Sequence, residues 1–265
     1  MFIALGVSIY FATKRKQEIA KRTKGHVPYS SYEAVLKRPM DVVLSGIGLI
    51  ILSPVLLITA ILVRVKLGTP VIFKQKRPGK DEKIFEIMKF RTMTNEVDKN
   101  GEFLPDEKRL TSFGKRLRSS SLDELLELIN VFKGDMSMVG PRPQLVKDMV
   151  FMSKEYRKRH AVLPGITGLA QVSGRNGITW EEKLDKDLVY LKKITLLNDI
   201  KIMMKTVIKV LSRDGINEEG QVTALDYGEW LLLNNVIDYD EYLIRETEVK
   251  RLLGEENESI RMEVL

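Results

Sequence analysis

VVLSGIGLIILSPVLLITAILV, residues 42–63, is a run of 22 residues without a charge, and its reading decides the architecture. As one unbroken helix rising 1.5 Å per residue it would be roughly 33 Å long, enough to cross a hydrocarbon core. Two features oppose a plain crossing. Ser53-Pro54 stands at the midpoint, where proline removes a helical hydrogen bond and bends the helix. Lys37 and Arg38 precede the run while Arg64 and Lys66 follow it. Basic flanks favour the cytoplasmic side, and a spanning helix cannot keep both there. The sequence therefore predicts a helix that enters the membrane, breaks at Ser53-Pro54 and returns to the same face. A kinked spanning helix is the competing reading.

Charge is unevenly spread around this segment. The chain has 265 residues and a net charge of +7. From Arg213 onward 5 basic and 14 acidic residues give −9, so residues 1–212 carry +16. A basic body suggests an anionic partner: nucleic acid, a phospholipid surface or a phosphorylated substrate. With no cysteine and two histidines, His26 and His160, disulfide and thiolate chemistry are excluded and a zinc site is disfavoured. Phe2 to Thr13 is apolar, but its basic cluster follows it, unlike a signal peptide. Twelve residues are also too few to span, so an interfacial anchor or a ragged start are equal readings.

Downstream, VIFKQ and KIFEIMKF read as β segments around the turn Pro78-Gly79-Lys80-Asp81. A polar loop follows over 94–108, then a helix from about Ser121, with Ser121 and Glu124 spaced as a capping box. Glycine and proline mark 133–145 and 161–178 as ordered loops, and Trp180 to Leu191 as the next helix. Leu196 to Leu211 is amphipathic: Leu197, Ile200, Met204, Val207, Ile208 and Leu211 share one side, and Lys201, Lys205 and Lys209 form a stripe. Such a helix lies in a membrane interface or covers a core with its apolar face. The acidic C-terminal region reads as an extension that packs on something else.

Candidate chemistry clusters between residues 89 and 176. Lys89, Arg91, Arg116, Arg118, Arg142 and Arg175 stand in or beside turns, and the arginine fork suits phosphate oxygens. Among them, Asp123-Glu124 opens an otherwise apolar helix, facing the positive end of its dipole. Such carboxylates can hold magnesium with water and phosphate completing its shell. An ionised Asp can also attack phosphorus directly. Ordinary helix-start decoration is the alternative. Pro141-Arg142-Pro143 holds an arginine between rigid residues, which lowers the entropy cost of clamping an anion; a tight turn with an exposed arginine is the plainer reading. Gly174-Arg175-Asn176-Gly177 is a turn by composition. His160 reads as structural.

Taken in order, LKRPMD, the apolar run with Ser53-Pro54, PVIFKQKRPG, KFRTM, LRSSSLDEL, NVFKGDMSMVGPRP, LPGITGLAQVSGRN and LNDIKIMMKTVIKVL resemble the bacterial monotopic phosphoglycosyl transferases. The likeness covers about residues 35–225. Within the family it points to the small diacetylbacillosamine-phosphate-transferase-like group, through RPGKDEKIF, DKNGEFLPDEKRL and INEEGQVT. The resemblance implies an α+β, mainly helical fold, with a compact cytoplasmic body on amphipathic interfacial helices and a re-entrant membrane helix. It implies the re-entrant helix 35–68 and the catalytic domain 69–225, and leaves outside it an N-terminal extension 1–34 and the acidic extension 226–265. It implies sugar-1-phosphate transfer from a UDP-sugar to undecaprenyl phosphate, releasing UMP, at the cytoplasmic face of the bacterial inner membrane.

By the same resemblance Asp123 is the nucleophile and Glu124 its magnesium-binding partner. Arg118, Arg142 between Pro141 and Pro143, and Arg175 are phosphate and nucleotide contacts, with Lys89 and Arg91 beside them. One departure is Leu126, where many relatives have proline. Membrane lipid is the expected environment, a homo-oligomer is left open, and no nucleic acid is expected. A nucleic-acid module lacks support because only 7% of residues are aromatic and none interleave with a basic stripe. A non-catalytic membrane scaffold for glycan assembly is the second reading, opposed by the intact Asp123-Glu124 pair.

Overall fold

The apolar run folds as part of one 31-residue helix, α1 (Lys37–Leu67), entered through a π-helical turn at Tyr32–Leu36 in the computed structural model. The structure describes residues 26–174, 178–212 and 225–254. The N-terminal apolar stretch, the INEEGQVT segment and Arg175 lie outside them. Leucine and isoleucine without a polar break favour the helix, and Gly68, at φ +80°, ends it by donating its N–H to Arg64 O. Helical pairing continues through Pro54, which has no N–H for the carbonyl of Ile50. The Ser53 hydroxyl donates to that carbonyl instead, at 2.8 Å.

Both ends of α1 touch the same body. Arg38 donates to the carbonyls of Val131 and Phe132, and a Cβ at Gly46 would lie 3.4 Å from the Phe132 ring. Near the other end Val63 is fully buried with Phe90, Leu117 and Leu126. Between these anchors Ile50 is 75% exposed, and Ile51, Leu57 and Ile58 also face outward. The mostly helical chain thus presents one long apolar helix whose middle is largely exposed.

Alternating β-branched and aromatic residues give the hairpin β1 (Ile72–Pro78) and β2 (Ile84–Phe90), antiparallel, with Phe73 opposite Lys89 and Arg77 opposite Phe85. Helix α2 (Ser112–Ser119) is capped by Thr111, whose hydroxyl accepts from the Gly114 N–H. A 3₁₀ turn at Leu122–Leu126 leads into α3 (Glu127–Lys133). Ser121 does not cap it. This residue is left-handed, at φ 55°, and its side chain makes no capping bond.

The two segments expected as loops contain a parallel pair, β3 (Ser137–Val139) and β4 (Gly165–Thr167). Three residues per strand are too few for a visible alternation. Between them lies α4 (Val146–Phe151). Helix α5 (Trp180–Lys192) starts with a Thr179–Glu182 capping box, and α6 (Leu196–Ser212) follows. On α6 the apolar residues Leu197, Ile200, Met204, Val207 and Ile208 are exposed, while Ile202 and Asp199 point inward. A core helix would show the reverse. The apolar face of α6 and the middle of α1 are therefore both uncovered, the arrangement expected of elements seated in lipid.

Helices α7 (Tyr227–Leu233) and α8 (Tyr239–Leu253) belong to the acidic region. They pack on α4 and α5 through Phe151, Met152, Leu184, Tyr227 and Leu231.

Candidate active site

The 3₁₀ turn after Ser121 brings two carboxylates, Asp123 and Glu124, to one wall of an open cleft of about 1840 Å³, and Glu127, the first residue of α3, is buried beside Lys89. Opposite stand cations delivered by other elements. Cross-strand partners share a face, so the hairpin aims Lys89 and Arg77 to the same side. Lys89 Nζ donates to Glu124 Oε1 at 2.7 Å and lies 3.2 Å from Glu127 Oε1. Arg142 Nη2 donates to the same Glu124 oxygen at 2.6 Å.

Arg142 is held from behind. Pro141 and Pro143 are buried, and Pro141 O accepts from the Gly165 N–H at 3.0 Å. Gly140 packs so closely on the next strand that a Cβ would lie 2.4 Å from Leu163 O. The carbonyl of Arg142 accepts from Arg159, which is 2% exposed and paired with Asp187 at 2.7 Å. The buried ion pair thus fixes the backbone that carries the clamp. His160, beside it, is buried; burial and then the Arg159 charge push its imidazole down to about 3. It is a neutral core residue, as read from sequence.

The electrostatics separate the two adjacent acids. Asp123 is 8% exposed, and burial followed by the Glu124 charge pushes its carboxyl up to about 6, against the pull of Lys89 and Arg118. Burial also acts to raise Glu124, but Arg142 and Lys89 outweigh it and hold this carboxyl well below the usual range. Glu127 is raised by burial and by the Glu124 charge. One acid is therefore poised near neutrality and its neighbour is fixed as an ion pair, a division of roles common in active sites.

Other sequence candidates fall differently. Arg118 lies at the cleft and bonds Thr92 Oγ1 through Nε at 2.9 Å. Arg91, grouped with the phosphate contacts on sequence grounds, is buried; its guanidinium donates to the carbonyls of Leu67 and Thr69 and ties the end of α1 to β2. Lys37 and Arg38, read as membrane-flanking charges, also bind protein. Lys37 pairs with Asp199, which takes the Tyr32 and Tyr190 hydroxyls as well.

Four residues at the site escaped the sequence reading. Arg77 lines the cleft, and its buried Nε has no partner. Burial and the nearby Arg142 push its guanidinium down to about 10. Two-residue alternation with Lys89 across the hairpin is the signal that would have found it. Glu127 lies one helical turn beyond Asp123, an i,i+4 relation visible in the sequence. The Arg159–Asp187 pair is separated by 28 residues and left no local signal.

The bacterial sugar transferase family model matches residues 32–213, and the chain belongs to that family. It is 47% identical over 190 residues to the uncharacterized sugar transferase EpsL of Bacillus subtilis, covering 72% of this chain and 94% of that protein. It is 41% identical over 192 residues to the UDP-glucose:undecaprenyl-phosphate glucose-1-phosphate transferase of Klebsiella pneumoniae. A Salmonella typhimurium undecaprenyl-phosphate galactose phosphotransferase is 38% identical over 197 residues. The chain spans 41% of the length of each of these last two, and the alignments take in 69% and 68% of this chain.

Proposed function

We propose that the chain is a phosphoglycosyl transferase that moves a sugar-1-phosphate from a UDP-sugar to undecaprenyl phosphate, by way of a covalent intermediate on Asp123. The observation that carries this reading is the pairing of roles in the cleft: a buried carboxylate near its protonation midpoint beside Glu124, Lys89, Arg118 and Arg142. Ionised Asp123 attacks the β-phosphorus, the bond to the UMP oxygen breaks, and UMP leaves with that electron pair. A phosphate oxygen of the lipid then attacks the phosphosugar, and the Asp123 carboxylate is released. Lys89, Arg118 and Arg142 supply positive charge where the transferring phosphoryl group gathers negative charge, the largest expected term in such catalysis. Names of relatives support the donor and acceptor classes.

Among the described residues no three His, Cys, Asp or Glu side chains converge as a metal cage. Magnesium needs only one or two carboxylates besides phosphate and water. Hard carboxylate oxygens at Asp123 and Glu124, side by side on the cleft wall, fit such an ion, held by Glu124. When bound it would neutralise diphosphate charge.

The re-entrant seating of α1 belongs to the same reading. Its support is that both ends of α1 pack on one body while Ile50, Ile51, Leu57 and Ile58 face outward. Leu52 and Val55 of this helix line the cleft, so a lipid acceptor would approach along an apolar wall. On this reading the body faces the cytoplasm. The sugar is open, and membranes incubated with a panel of UDP-sugars and assayed for UMP should respond to one class of donor. EDTA should stop that release and magnesium restore it. Full activity in EDTA removes the metal from the account, and no UMP from any donor removes the transferase.

A further inference from the structure

Helices α7 and α8 lie beyond the 32–213 span that defines the family, yet they meet the back of the Arg142 loop. The meeting point is Asp148 on α4, 2% exposed. Its Oδ2 accepts the Leu145 N–H at 2.8 Å, at the end of the segment that begins with Arg142. Its Oδ1 accepts the Tyr227 N–H at 3.0 Å, at the start of α7. One carboxylate thus joins the clamp loop to the C-terminal extension. Arg77, at the cleft, also faces it.

The extension is fastened around that joint by several independent contacts. Lys147, next in sequence, pairs with Asp226 at 2.9 Å and Glu246 at 3.0 Å. Arg245 donates to Phe151 O at 2.9 Å, and Lys76, beside Arg77 on β1, donates to Leu253 O at 2.7 Å. Trp180, which lines the cleft, packs its ring 5.2 Å from that of Tyr227 and donates to Leu225 O. Three pieces of the cleft, the Arg142 loop, β1 and the start of α5, therefore rest on one extension. We propose that α7 and α8 are an intramolecular brace for the donor-binding wall, and that Asp148 is the positioning residue through which the brace holds the Arg142 loop.

A carboxylate suits this post because both of its partners are N–H donors. An amide at 148 would present an N–H to one of them and lose that bond, and alanine would lose both. The mechanical part of the inference is independent of the reaction; the binding part rests on the transferase reading above.

Gly228 offers a handle outside the cleft, since a Cβ there would lie 2.7 Å from the Phe151 ring. Gly228→Leu should lift the extension off α4 while leaving every cleft side chain intact. Hydrogen exchange on the full-length protein should then speed up about tenfold in the peptide spanning 140–149, with the peptide over β4 unchanged. Asp148→Ala should do the same with the extension still docked. UDP, used as the probe, should bind both variants about tenfold more weakly. Donor KM should rise by a similar factor and kcat stay within about twofold. Unchanged exchange over 140–149 in both variants overturns the brace. Faster exchange with unaltered UDP binding and KM overturns its link to the donor wall. Failure of the unaltered protein to bind UDP while the exchange result holds would instead remove the transferase reading.

Discussion

A carboxylate attacks phosphorus more readily the less it is stabilised as an anion, and Asp123 is built that way. Burial lifts its carboxyl from 3.8 to about 6, so at pH 7 it is ionised in the folded protein but costs stability there. The sign follows from linkage: the folded state binds the proton more tightly, so stability falls as pH rises from about 4 through about 6. Asp123→Asn should abolish UMP release. The same variant should be more stable than the parent above pH 6, by about 1–3 kcal/mol, with the gap closing below pH 4. Thermal unfolding across that range checks it, and an equal Tm at pH 7.5 would mean that burial does not strain Asp123. The ratio kcat/KM for the donor, which reports the free enzyme, should rise along an acid limb centred near pH 6. A second test concerns the buried support. Asp187→Asn leaves the Arg159 charge uncompensated, and should cost about 3–5 kcal/mol as well as loosening Arg142. Unaltered stability and donor KM would show that the pair holds nothing. Asp123, Glu124 and Arg142 stood out as candidates through their sequence neighbours, a carboxylate pair opening an apolar run and an arginine between prolines, while the roles assigned to them came from the resemblance. Arg159 and Asp187 were not, since only the fold joins them.

Among the elements, α1 is where sequence physics and packing meet most closely. Proline at 54 costs the helix one bond, and Ser53 returns part of it to Ile50. Replacing both by alanine gains roughly 3 kcal/mol of helix propensity and, on the re-entrant reading proposed above, removes the break that keeps both ends of α1 on one face. Some molecules should then span the membrane. A single cysteine at Val27, which is exposed, would report the change, because the chain has no cysteine of its own. Impermeant maleimide on intact cells should miss it in the parent and label it in the double substitution; labelling of the parent would refute the re-entrant seat. The apolar stripe of α6 was readable from its spacing, but whether it faces core or lipid was not, and exposure of Val207 and Ile208 decides that. Strands β3 and β4 were invisible because three residues show no period. Ser121 was misread because a serine three residues before a glutamate suits a capping box, whereas here the backbone at 121 is left-handed.

For the molecule as a whole, the split of +16 and −9 along the chain resolves into docking: acidic Asp226 and Glu246 close on Lys147. The charge pattern announced that two regions differ, but not that the second reaches the back of the cleft. The basic body suggested an anionic partner as a class, and under the proposed reaction the cations gathered around the acid pair are where a phosphorylated donor would meet it. The account as a whole stands on a covalent phosphosugar at Asp123. Purified enzyme given its UDP-sugar without lipid acceptor should be analysed by intact and peptide mass spectrometry. The account predicts that the peptide holding Asp123 gains the mass of the sugar phosphate, and that undecaprenyl phosphate removes it. Turnover with no adduct on that peptide, and with donor and acceptor plots that intersect, would contradict it.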